Sequence, residues 1–202
     1  MKPRPTSASG WAEHMMFLGA LVRSPRSVGA IVPSSAYLAR DMVWDIAPGS
    51  RVVELGPGTG VVTRAVMSRA GARGAVLAVD TNRAFVERIQ REWPEVDCVC
   101  ASAETLPALV SARGWADVDH IVSGLPFATL PSAVTLQILN GVRDVLRLGG
   151  TFTTFQYVHA YRLPPSVAFR RELSARLGCE PKSRLVIRNV PPAWILTWRR
   201  QL

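Results

Sequence analysis

The segment Val52-Val53-Glu54-Leu55-Gly56-Pro57-Gly58-Thr59-Gly60 constrains this chain more than any other feature. A short apolar run rich in valine leads into three glycines at alternate positions, and an apolar helical pattern starts at Val61. Glycine lets the backbone turn sharply and lets a ligand come close, while the first turn of the following helix offers N–H groups that have no partner inside the helix. Asp80, twenty residues after Gly60, closes the next apolar run, where its carboxylate can accept from both hydroxyls of a ribose. Loop and acid together specify a nucleoside-cofactor site. A dinucleotide fingerprint needs its third glycine at position 61, and Val61 stands there.

Beyond residue 50 the chain alternates strand and helix patterns, as parallel crossover units require. Strands are expected at 51–55, 75–79, 96–100, 119–123 and 151–155, with 185–187 and 195–198 closing the sheet. Helices are expected at 61–70, 82–93, 132–148 and 166–177, with Gly71, Gly149 and Gly178 at helix C-termini. Upstream, Trp11, Met15, Leu18 and Val22 recur at helical spacing, and Ser34 stands where it would cap a second helix bearing Leu38, Met42 and Ile46 on one face. The predicted organisation is a mobile tail (1–10), an N-terminal helical lid and membrane-contact segment (11–48), and an α/β domain (49–202). That domain is a Rossmann-like, mostly parallel seven-stranded sheet with helices on both faces.

With 202 residues, 48% of them hydrophobic and 19% charged, the composition excludes a disordered chain and a coiled coil. The longest apolar runs fall short of the roughly 18 residues of a membrane-spanning helix. Lys2 and Arg4 precede the apolar stretch 15–22, but no clean cleavage site follows, so it is not expected to be a signal peptide. Cys98, Cys100 and Cys179 lack metal-ligand spacing and read as reduced core thiols, and no metal site is expected. His14 and His120 read as structural. The net charge is +9, and from residue 151 onward nine basic side chains face two acidic ones, an asymmetry that favours a polyanionic partner.

The form Glu-x-Gly-x-Gly-x-Gly resembles motif I of class I methyltransferases. The resemblance implies S-adenosylmethionine as cofactor, bound by Glu54, Gly56, Gly58, Thr59, Gly60 and Asp80, with Glu54 near its amino-acid portion. Such enzymes usually place an aspartate after the third strand to meet the adenine amino group. Here the run is Ala101-Ser102-Ala103-Glu104, so Ser102, the Ala103 backbone and Glu104 are the candidates. Ser123-Gly124-Leu125-Pro126-Phe127 stands where amino-group methyltransferases carry Asn-Pro-Pro-Tyr or Asn-Leu-Pro-Tyr.

Five segments, 25–35, 54–63, 123–127, 155–157 and 189–193, resemble bacterial phospholipid N-methyltransferases of the small, membrane-associating type. That resemblance implies stepwise methylation of phosphatidylethanolamine toward phosphatidylcholine. It further implies a monomer attached peripherally to an anionic membrane surface, the inner face of the cytoplasmic membrane, with a phospholipid and no nucleic acid as partner. Ser123, Tyr157 and His159 are the catalytic candidates. Tyr157, Tyr161, Arg188, Asn189, Ser34, Ser35 and Phe127 are candidates for binding substrate, with Tyr157 and Arg188 expected to grip the headgroup phosphate. Tyr157, His159 and Tyr161 alternate after the fifth strand, which would put them on one face. Two other readings stand beside this one: a ribosomal RNA adenine dimethyltransferase, which would carry asparagine where Ser123 stands, and a non-catalytic cofactor-binding protein of the membrane surface.

Overall fold

In the computed structural model the described residues are 35–201. The expected tail, the 11–22 helix, His14 and Ser34 lie outside them. Seven strands make one sheet in the order β3-β2-β1-β4-β5-β7-β6. They are β1 (Arg51–Leu55), β2 (Ala75–Asp80), β3 (Asp97–Cys100), β4 (Val118–Ser123), β5 (Leu146–Tyr157), β6 (Lys182–Val186) and β7 (Ala193–Arg199). The first five run parallel; β7 is antiparallel to β5 and to β6. The strand order reverses direction between β1 and β4, and in open α/β sheets ligands bind beyond the strand ends at such a point.

The helices are α1 (Ala36–Met42), α2 (Val61–Ala70), α3 (Arg83–Glu92), α4 (Leu106–Ser111), α5 (Ser132–Val145) and α6 (Pro164–Leu177). Side chains alternate across each strand, so the sheet has two apolar faces to cover. Val52, Ala78, Val122 and Ile195 pack with Leu38 and Met42 of α1, Val62 and Val66 of α2, and Val86 and Ile89 of α3. Phe152 and Trp198 point the other way, into an aromatic group with Phe169 of α6 and Phe127.

The sheet and the long helices follow the sequence patterns closely, and the departures have local causes. Residues 106–111 form α4, a helix too short for its periodicity to stand out. α5 stops at Val145 and β5 begins at once, three residues before Gly149. Gly149 is therefore no helix cap: with φ 74 it sits inside β5, where the β4–β5 register shifts. Gly71 and Gly178 do cap their helices. Ser35, one residue after the expected cap, closes α1, its Oγ accepting from the Leu38 amide at 3.2 Å.

The expected boundary at residue 48 also moves. Leu38, Ala39, Met42, Val43 and Ile46 are buried in the same core as β1 and α2, so the α/β unit begins at Ser34. Cys98 is a core thiol whose ionisation burial pushes up to about 12, but Cys100 at the end of β3 is exposed and Cys179 half-buried. His120 is structural as expected, buried with Nδ1 2.7 Å from the Thr151 hydroxyl. No helix among the described residues is long and apolar enough to cross a membrane.

Candidate active site

The glycine loop is folded by its own backbone. The Gly56 amide donates to the Val79 carbonyl at 2.9 Å, tying the end of β1 to β2, and the Gly60 amide donates to the Pro57 carbonyl at 2.9 Å. Gly60 has φ +85, and a Cβ there would stand 2.5 Å from the Trp93 ring, so both conformation and space demand glycine. Gly58 differs. Its φ is +52, but a Cβ would meet nothing within 4 Å, so the loop is open at its middle glycine. Thr59, the next residue, is half-buried.

Asp80 braces this loop from β2. Its Oδ2 accepts from the Gly58 amide at 3.2 Å and its Oδ1 from the Asn82 amide at 2.8 Å. Burial raises its ionisation, opposed by the backbone donors of Asn82, Gly58 and Thr81. Glu54 lies at the root of the loop, 1% exposed, and neither carboxylate oxygen has a hydrogen-bond partner. Burial pushes its ionisation up to about 8; the Thr63 hydroxyl pulls the other way without reaching hydrogen-bonding geometry, and the charge of Asp80 adds to the rise. A buried, unpartnered carboxyl is costly unless a ligand satisfies it. Together with the open glycine this fits a cofactor with a cationic amino-acid end and a ribose within reach of Asp80.

At the third strand, the Ser102 hydroxyl caps a short 3-10 turn, accepting from the Glu104 amide at 3.3 Å and donating to the Glu104 carboxylate at 2.8 Å. The Glu104 carboxylate is thereby held against the Ser102 hydroxyl. Ala103 is buried behind it.

The loop after β4 packs onto the glycine loop. The Gly124 amide donates to the Leu55 carbonyl at 2.8 Å, and a Cβ on Gly124 would be 2.8 Å from the Gly56 oxygen. Two candidates here prove to be supports. Ser123 is fully buried, its Oγ accepting from the Leu125 amide at 3.2 Å and its carbonyl accepting the Thr154 hydroxyl at 2.9 Å. Phe127 turns into the core and stacks on Phe169 with centroids 4.3 Å apart. What this loop turns outward is Gly124, with Leu125 half-buried.

Of the residues after β5, Tyr157 and His159 come together, their rings stacked at 5.6 Å and 8° between planes, with Phe155 edge-on to Tyr157 at 5.4 Å. Burial raises the ionisation of Tyr157. Tyr161 does not join them, because β5 ends at Tyr157 and residues 158–162 turn. Its ring lies beside Trp194 and under the Arg170 guanidinium, 3.9 Å away, while Arg170 also donates to the Gln156 side chain and the Tyr161 carbonyl. Arg170 fixes this turn, and its place in the middle of a helix gave no sequence signal for that role.

Arg188 lies over the Tyr37 ring at 5.4 Å, and no hydrogen bond or ring contact links it to Tyr157. Asn189 is buried and structural, its Oδ1 accepting from the Ser35 amide at 2.9 Å and its Nδ2 donating to the Pro191 carbonyl at 2.7 Å. Ser35 is thereby a helix cap and an anchor.

Residues 52–150 match a family model described as a methyltransferase domain. The chain is 28% identical over 145 residues to the ornithine lipid N-methyltransferase of Singulisphaera acidiphila, covering 69% of this chain and 76% of that protein. It is 30% identical over 97 residues to a probable ribosomal RNA small subunit methyltransferase A of Thermococcus gammatolerans, covering 47% of this chain but only 31% of that protein. Among solved structures, the 1,6-didemethyltoxoflavin-N1-methyltransferase of Burkholderia thailandensis, with bound S-adenosylhomocysteine, superposes with a TM-score of 0.71 at 20% identity, covering 100% of this chain and 93% of that one. Strand order, glycine loop and matched domain make this chain a class I S-adenosylmethionine-dependent methyltransferase.

Proposed function

We propose that this enzyme methylates the primary amine of a membrane lipid, phosphatidylethanolamine in the first place, toward phosphatidylcholine. One observation carries the reading: the similarity to a lipid N-methyltransferase runs over 145 residues, well past the matched domain, whereas the similarity to the RNA enzyme spans 97 and is no longer than that domain. The same observation supports a second acceptor, the amine of an ornithine lipid.

S-adenosylmethionine, when bound, supplies a methyl group already activated toward a nucleophile. The chain's own work is to bind, orient and deprotonate. In this reading Asp80 accepts from the ribose hydroxyls, Glu54 faces the amino-acid end, and Ser102, Ala103 and Glu104 border the adenine. The acceptor amine lies between the Gly124 turn and the Tyr157–His159 pair. His159, exposed at the pair's outer side, takes the proton that the ammonium must lose before it attacks. Alignment and exclusion of water supply most of the acceleration. The basic C-terminal quarter draws the enzyme, a monomer, to the inner face of the cytoplasmic membrane.

The test is to incubate the full chain with methyl-labelled S-adenosylmethionine and three separate acceptors: phosphatidylethanolamine vesicles, ornithine lipid vesicles and ribosomal RNA. Label extracted with phosphatidylethanolamine is the expected result. Label on ornithine lipid alone moves the substrate to the second acceptor, and label on RNA alone overturns the lipid reading.

A further inference from the structure

We propose that the sheet edge formed by β6 and the turn after it is the docking surface for an anionic lipid bilayer. The inference rests on the lipid reading above, and its test keeps the two apart.

Among the described residues β6 is the terminal strand and pairs with β7 alone. Along and just beyond it Leu185, Ile187 and Val190 are 41%, 71% and 68% exposed. Single exposed apolar side chains are ordinary on a protein surface. Two of these stand among cations: Arg40, Arg184 and Arg188 line the same groove as Leu185 and Ile187, together with Tyr37, and Val190 follows two residues after Arg188. The guanidinium of Arg40 lies 5.8 Å from the Tyr37 ring centroid and that of Arg188 5.4 Å from it. Asp41, its side chain 9% exposed, holds Arg40 at 3.6 Å and Arg184 at 3.5 Å from behind. Arg188 and nearby Lys182 have no carboxylate partner among the described residues. The planar, weakly hydrated guanidinium suits phosphate oxygens, and apolar tips beside it suit the boundary between headgroups and acyl chains.

Position strengthens the case. Val186 pairs with Ala193, and Ala193 pairs with Tyr157, so the three lie side by side in one row across β6, β7 and β5. Two strand spacings, roughly 10 Å, separate the end of β6 from Tyr157. Since β6 and β5 run the same way, Ile187 and Arg188 leave the sheet at the edge that carries the glycine loop and the aromatic pair. A bilayer seated on Ile187 and Val190 would lie beside the acceptor site.

Charge decides among occupants. A second copy paired edge to edge would bring the two sets of arginines together, and Lys182 and Arg184 are the kind of edge-strand charges that oppose such pairing. Residues 1–34 carry Lys2, Arg4, Arg23 and Arg26 against Glu13, so they are basic as well. An anionic bilayer complements the groove.

The experiment is sedimentation of the full chain with vesicles of phosphatidylcholine alone or mixed with phosphatidylglycerol, neither of which offers an amine to methylate. Two double variants are compared with the parent, Ile187→Ser/Val190→Ser and Arg40→Gln/Arg184→Gln, after circular dichroism and S-adenosylmethionine affinity show that they fold. The parent is expected to bind the mixed vesicles, and each variant to bind them roughly tenfold more weakly. Both variants are expected to keep full activity on an amine lipid dispersed in neutral detergent. Parent-like binding by both variants overturns the proposal, as does a parental dimer that either variant splits into monomers. Vesicle binding lost in the variants, from a parent that methylates no amine lipid, overturns the substrate reading and leaves the docking surface standing.

Discussion

Glu54 shows how a single side chain links the fold to the chemistry. In the unfolded chain it ionises near the usual 4.5, in the folded protein near 8, so between those values the folded state holds a proton that the unfolded state has lost. Stability is therefore greatest below the lower value and falls as pH rises toward the upper one, by an amount on the order of a few kcal/mol. Cofactor-free Glu54→Gln protein should lack this slope. Melting temperatures between about pH 5 and about pH 9 test it, and parallel profiles for the two proteins would show that Glu54 titrates normally. Asp80→Ala removes the brace from Gly58 and, in the proposed reading, the acceptors for the ribose hydroxyls. The expected loss of S-adenosylmethionine affinity is about 1–3 kcal/mol in a protein that still folds, read by calorimetric titration. Both acids were legible in the sequence because motif spacing puts them at strand ends. Ser123 and Phe127 misled for a physical reason: their spacing places them in the acceptor loop, but only tertiary packing decides that the serine is turned into the turn and the phenylalanine into the Phe169 stack.

At the scale of elements, the alternating pattern disclosed all seven strands, because short apolar runs between amphipathic helices leave few other architectures. It did not disclose α4, which is only six residues long, the full extent of β5, or the bounds of β6, expected at 185–187 and found at Lys182–Val186. Nor did it show that α1 belongs to the core. That helix presents Leu38, 0% exposed, to the sheet, and the adjoining Tyr37 to the arginine groove. The two neighbours should consequently respond in opposite ways to truncation. Leu38→Ala is expected to lose about 2–5 kcal/mol of stability through transfer and cavity terms. Tyr37→Ala, on the outer side, should stay within about 1 kcal/mol. Urea denaturation measures both, and equal losses would mean that α1 is held by its outer face.

For the molecule as a whole, the division of the chain at residues 33 and 34 carries a further expectation. Among the described residues, the groups that brace the glycine loop are Asp80 on Gly58, Trp93 against Gly60, and Gly124 against Gly56, and these lie after that division. So do both apolar layers and the Ser35–Asn189 hydrogen bond that fastens α1 to the turn after β6. A chain starting at Ser34 therefore keeps every described contact of the cofactor site. It is expected to unfold cooperatively and to bind S-adenosylmethionine within about threefold of the full chain, a difference below about 1 kcal/mol. The 33 removed residues include the segment 25–33, part of the resemblance to phospholipid N-methyltransferases, so methyl transfer to lipid should fall while cofactor binding persists. That split is the informative readout: a truncated protein that loses cofactor affinity as well would place part of the first 33 residues in the cofactor site itself, and one that methylates vesicles at the full rate would remove them from acceptor recognition.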